Sequence, residues 1–124
     1  MRGLKLFLIV APLMAGAAQA ADSKWVTAYS TEEAVSYVDV GNVTANSSAR
    51  TFWMKRVPGT AESDGTAFTM VKYTIDCGGN TIAAAYYAKY DSNGKTIDSW
   101  PAMDKTAKPI IPESNAVSMR NLVC

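Results

Sequence analysis

Between residues 70 and 77 apolar and polar side chains alternate with a period of two: Val71, Tyr73, Ile75 and Cys77 against Lys72, Thr74 and Asp76. Successive side chains of a strand leave opposite faces, so this is a strand with one wet face, and Cys77 points into the core. Gly78-Gly79-Asn80 then turns the chain into 81–90, and Asp91-Ser92-Asn93-Gly94 turns it again into 95–100. Two such turns between β-rich runs predict an antiparallel meander.

Three upstream runs also read as strands. Residues 24–29 put Trp25, Thr27 and Tyr29 on one side, 34–40 are β-rich around Tyr37 and Val38, and 49–56 contain Phe52, Trp53 and Met54. Polar punctuation at 30–32, 42–48 and 58–66 separates them, the last being the longest and the expected mobile loop. Beyond Trp100-Pro101 a loop runs through Pro109 and Pro112, after which Ser114 is placed to cap a short helix reaching about Leu122, with Glu113 at its positive end. Ala116, Val117, Met119 and Val123 share one arc of that helix, Cys124 projects toward the same arc, and Arg120 is expected to snorkel past the sheet edge. The expected fold is therefore α+β: an antiparallel sheet of about six strands with a C-terminal α-helix packed on one face.

Residues 1–20 carry Arg2 and Lys5, an apolar run over 6–14 and the small-residue ending Ala18-Gln19-Ala20, the pattern of an export signal cleaved before Ala21. That leaves 21–124 as a single domain. No cysteine lies near the cleavage site to take a lipid, so no stable membrane anchor is expected, and the product is placed in the periplasm or outside the cell. An oxidising compartment changes the reading of Cys77 and Cys124, which are the chain's only two cysteines. One intramolecular bridge is available to them, tying the C-terminus to the sheet; two buried thiols or an intermolecular bridge are the alternatives.

Charge and composition mainly exclude. Setting aside Arg2 and Lys5 leaves 10 basic residues against 11 acidic, which points to neither nucleic acid nor an anionic membrane surface. The chain has no histidine, which removes the commonest general base, the usual nucleophilic triads and most zinc sites. Its carboxylates, among them Asp39, Asp76, Asp91, Asp98, Asp104 and Glu113, are dispersed over turns and strand exteriors rather than gathered in a motif. Asp91-x-Asn93-Gly94 matches part of a calcium loop but lacks the downstream Glu and the glycine spacing, so a hairpin turn explains it. The expectation is a protein that is not an enzyme and carries no metal or cofactor. Aromatic residues occur on every expected strand; because Tyr86 and Tyr87 are adjacent, they leave opposite faces, and Tyr87 beside Lys89 is a candidate contact patch.

Trp25 opening the first strand, Tyr37-Val38-Asp39 in the second, Trp53 in the third, Asp76-Cys77 ending the fourth, and Trp100, Pro112, Ser114 and Leu122-Val123-Cys124 closing the chain occur in an order that resembles the surface-adhesin protein E family of Gram-negative bacteria. The resemblance implies a sheet of about six strands with a disulfide-bridged helix. It also implies adhesion: contact with host-matrix proteins such as vitronectin, laminin and plasminogen, or with a cell-envelope protein, by a domain that forms homodimers. The family's ligand-binding segment corresponds here to residues 67–89, whose cations are Lys72 and Lys89, so Lys72, Tyr87 and Lys89 are the candidate partner-binding residues. A competing expectation is a periplasmic inhibitor of an envelope-directed enzyme such as lysozyme, with 58–64 as its inserting loop. A third is a small-ligand carrier, which requires an apolar pocket between helix and sheet.

Overall fold

The computed structural model describes residues 21–124; the export-signal reading falls on residues 1–20, outside them. The strands are β1 Trp25–Ser30, β2 Ala34–Asp39, β3 Thr44–Asn46, β4 Ala49–Pro58, β5 Phe68–Asp76, β6 Thr81–Tyr90, β7 Thr96–Pro101 and β8 Lys108–Pro109, followed by helix α1 Asn115–Val123. All eight belong to one antiparallel sheet, whose main path is β1-β2-β4-β5-β6-β7, with β3 paired to β4 and β8 to β6. The expected six-stranded sheet is thus present, and two short strands, β3 and β8, arise in segments that read as punctuation and loop. Thr-Ala-Asn has a single β-branched residue and Lys-Pro none, too little to announce a strand; each forms because its neighbour offers an unfilled edge.

Pairing decides which side chains share a face. Met54 lies opposite Val71, Phe52 opposite Tyr73, and Val71 opposite Tyr87. This side is covered by α1, and its core is Val38, Phe52, Met54, Val71, Ile75, Ile110 and Met119, none more than 5% exposed. These residues fill the seam between helix and sheet. Ala116, Val117, Leu122 and Val123 pack around that cluster, so the expected arc of α1 is the one that faces the sheet.

Cys77 and Cys124 form the disulfide, with Cα atoms 5.9 Å apart across a sequence separation of 47. Its position follows from the alternation of β5, since Cys77 continues the inward row of Tyr73 and Ile75. Arg120 does not reach past the sheet edge; its Nη2 donates to the Cys77 carbonyl at 3.1 Å, a second tie between the same two elements. Ser114 is the first residue of α1's N-terminal boundary and has extended backbone, but its hydroxyl caps nothing and is buried without a partner. The preceding Glu113 lies in the left-handed region at φ 64°.

Turn chemistry matches the sequence closely. Asp91 Oδ1 accepts from the N–H groups of Asn93 and Lys95, and Gly94 takes φ 80°, a conformation that favours glycine. At the β5–β6 turn Asp76 Oδ1 accepts from Gly78 and Gly79 N–H and from Ser48 Oγ, while Asn80 takes φ 57°. These contacts hold both carboxylates in structural work.

Candidate functional site

The three candidate residues do not converge. Lys72 lies opposite Trp53 on one side and Tyr86 on the other, so it stands on the face that α1 leaves uncovered. Tyr87 lies opposite Val71, packs on the core cluster, and stacks on Trp100 with ring centroids 5.7 Å apart. Lys89 shares that helix-bearing side, its Nζ 5.9 Å from the Trp100 ring and 3.0 Å from Asp64 Oδ2. Of the adjacent tyrosines, Tyr86 is therefore the exposed one, at 37%. A bulge in β6, where Lys72 pairs with Tyr86 but Tyr73 with Ala84, fixes that choice.

A second bulge reassigns β1. Trp25 and Thr27 pair with Asp39 and Tyr37, but the register shifts before Tyr29, which pairs with Ser36 and packs on the core. Trp25 consequently stands on the uncovered face while Tyr29 does not, although a plain period of two places them together.

The uncovered face is aromatic and cationic. Its central rows are Trp53, Lys72 and Tyr86, and beside them Tyr37, Lys55, Met70 and Ala88. Lys55 Nζ sits 4.4 Å from the Trp25 ring centre and 5.4 Å from that of Phe68, whose ring stacks on Tyr90 at 4.9 Å. The first distance is well inside the roughly 6 Å reach of a cation–π contact, whereas Lys72 Nζ, 6.0 Å from Trp53, stands at its limit. Both lysines are half-buried. Neither has a carboxylate partner among the described residues, where the ion pairs are Arg56–Glu62, Lys89–Asp64 and Lys108–Asp104.

On the helix side, by contrast, cations are engaged. Arg56 and Lys89 meet Glu62 and Asp64 of the 59–67 loop, and Arg50 donates to the Ser47 and Ala49 carbonyls. The loop is further closed by Glu62 N–H to Thr66 O, Gly65 N–H to Glu62 O and Thr66 N–H to Asp64 Oδ1. Thr66 and then Lys89 hold the Asp64 carboxyl well below the usual carboxylate range. The segment expected to be a mobile loop is thus tied down at several points, a poor arrangement for an inserting inhibitor loop.

At the β1 end of the uncovered face lies an open concavity of about 800 Å³, flanked by Trp25 and Trp53 and bordered by Thr44, Thr51, Met70 and Lys72. Asp39 forms part of its wall. Burial pushes this carboxyl up, but hydrogen bonds from Lys24 N–H, the Asn42 amide, Ser23 and Gly41 N–H outweigh it and leave the group below its ordinary value. Among the described residues, no cluster of His, Cys, Asp and Glu side chains is arranged to hold a metal ion. Composition alone gave no way to see this face. The signal that could have found it was the position of Trp53 and Lys55 in β4, out of phase with the buried Phe52 and Met54.

A family model described as surface-adhesin protein E matches residues 25–124, almost all of the described chain. The chain belongs to the surface-adhesin protein E family. No curated protein and no solved structure matches it significantly. Membership agrees with the sequence reading from Trp25 to Cys124, and with a surface-adhesin character rather than an enzyme family.

Proposed function

We propose that this domain is an exported, non-enzymatic binding module, cleaved after Ala20, that engages a host-matrix or envelope protein through the face of the sheet opposite α1. The observation that carries the reading is the unequal treatment of cations: helix-side Arg56 and Lys89 are paired with carboxylates, while Lys55 and Lys72 are half-buried against aromatic rings with no carboxylate beside them. Tryptophan and tyrosine are the residues that anchor protein-contact patches, and here Trp25, Trp53 and Tyr86 stand with two cations that no carboxylate neutralises. Lys72 belongs to this patch; Tyr87 and Lys89 support the opposite side.

The test is surface plasmon resonance of the oxidised protein over immobilised vitronectin, laminin and plasminogen. Paired substitution of Trp53→Ala and Lys72→Met is expected to weaken binding by about tenfold or more, the size of loss expected for a contact anchor. Lys89→Met is expected to leave it unchanged. Absence of binding to all three proteins removes the host-matrix partner, and equal binding by every variant removes the assignment to this face.

A further inference from the structure

We infer that the concavity between Trp25 and Trp53 is a subsite for a carboxylated pyranose, the acidic sugar of a glycan. The inference rests on the uncovered face being the binding face, and it names the chemistry that face selects. Trp25 and Trp53 flank an opening whose volume, about 800 Å³, falls within the range of sites that take small ligands. Indole faces suit the C–H-rich faces of sugar rings, because the negative π-face attracts the weakly positive C–H edge while apolar area is removed from water. Thr44, whose hydroxyl can donate and accept as ring hydroxyls require, borders the same opening.

The site is also polarised. Asp39, opposite Trp25, stands on β2 between the strands of the two indoles, whereas Lys72, opposite Trp53, stands on β5 on the far side of Trp53. Asp39 is engaged with Lys24 N–H at 2.8 Å, Gly41 N–H at 3.1 Å and the Asn42 amide at 3.0 Å, so its oxygens are already occupied. Lys72 has no carboxylate partner among the described residues and stands at the outer limit of its contact with Trp53, free to turn toward an anion. A ligand carboxylate therefore belongs beside Lys72, on the far side of Trp53 from Asp39, and the neutral hydroxyls of the ring toward Asp39. An acidic peptide fits less well: the inner strands spend their backbone N–H and C=O groups on the ladder, leaving none for a peptide main chain on the face.

Titration of the oxidised protein with trigalacturonate and with sialyllactose separates a polyuronate from a sialylated glycan as the source of the sugar; lactose, maltotriose and hexaglutamate are the comparisons. Isothermal titration calorimetry is used on the natural sequence. Tryptophan fluorescence is followed in a Trp100→Phe variant, which removes the indole on the opposite face. At least one carboxylated saccharide is expected to bind and perturb the fluorescence, with the neutral sugars about tenfold weaker or worse, and with Lys72→Met and Trp53→Ala each lowering affinity by about tenfold. Circular dichroism checks that both variants remain folded. No response to either acidic sugar, equal response to neutral ones, binding of hexaglutamate alone, or affinity unmoved by both substitutions overturns the inference. Matrix-protein binding that survives while the saccharides fail leaves the protein-contact reading standing and removes only this one.

Discussion

Lys72 and Tyr87 lie on adjacent strands one residue out of register, Lys72 opposite Tyr86 and Tyr87 opposite Val71, and so they leave the sheet on opposite sides. Substitutions at the two positions should separate cleanly. Lys72→Met is expected to lower partner affinity while moving stability by no more than about 0.5 kcal/mol, as for a surface side chain. Tyr87→Ala removes a half-buried ring that packs on the core and stacks with Trp100, and is expected to cost about 2–3 kcal/mol with the affinity of the folded fraction unchanged. Urea unfolding and surface plasmon resonance on the same preparations check both; a Tyr87→Ala protein of full stability and lost affinity contradicts the assignment.

The disulfide is the second test. Cys77 and Cys124 close a loop of 47 residues, for which restriction of the unfolded chain predicts about 4 kcal/mol, with native strain or residual structure able to reduce it. The double variant Cys77→Ser with Cys124→Ser is expected to unfold at a markedly lower urea concentration and with a steeper slope, because the unclamped unfolded chain exposes more surface. Helix α1 has only about two and a half turns, too short to persist alone, so its loss should accompany exposure of Met119 and Ile110. Equal urea midpoints for oxidised and reduced protein count against a structural bridge.

Much of this architecture was legible because period-two alternation is a local signal. Val71, Tyr73, Ile75 and Cys77 announce their own face, and Asp91 through Gly94 announce their turn. What alternation does not carry is a bulge, since one inserted residue inverts every later position. The shifts beside Ala28 and Ala85 therefore hid which aromatic residues stand free. Long-range electrostatics were equally silent: Lys89 and Asp64, 25 residues apart, form the tie that fixes the loop expected to move. Lys72, Tyr87 and Lys89 are joined by the family's ligand-binding segment over 67–89, and which face each one takes depends on the bulge that the alternation does not carry.

Capping gives a contrasted pair. Ser114 stands where a cap is expected, yet its hydroxyl is buried and unpartnered, so Ser114→Ala should change stability by less than about 0.5 kcal/mol or raise it slightly. Asp39, by comparison, caps the short 3-10 turn Val40–Asn42 through Gly41 N–H and also holds Lys24 N–H and the Asn42 amide. Asp39→Ala leaves those donors without their acceptor and is expected to cost about 2–3 kcal/mol. Thermal or urea denaturation of the two variants decides it, and a cost for Ser114→Ala as large as that for Asp39→Ala rejects this account of the two boundaries.

Tyr73 supplies a test with a direction in pH. Burial, followed by the neighbouring Tyr29 and Tyr87, pushes its hydroxyl up from 10.0 to about 12. The folded protein therefore holds this proton more tightly than the unfolded chain does, and between those values the unfolded state is the one that releases it. Stability linked to Tyr73 is fully present below pH 10 and declines as pH rises toward 12, a total of about 2–3 kcal/mol for a shift of this size. Other tyrosines ionise in the same interval, so the informative quantity is the difference between the natural protein and Tyr73→Phe, which keeps the ring and loses the proton. That difference in unfolding free energy is expected to be constant at pH 8–9 and to move against the natural protein by about 1.4 kcal/mol by pH 11. Urea unfolding with the disulfide intact checks it. Parallel pH profiles for the two proteins would mean that the Tyr73 hydroxyl ionises as freely in the fold as outside it.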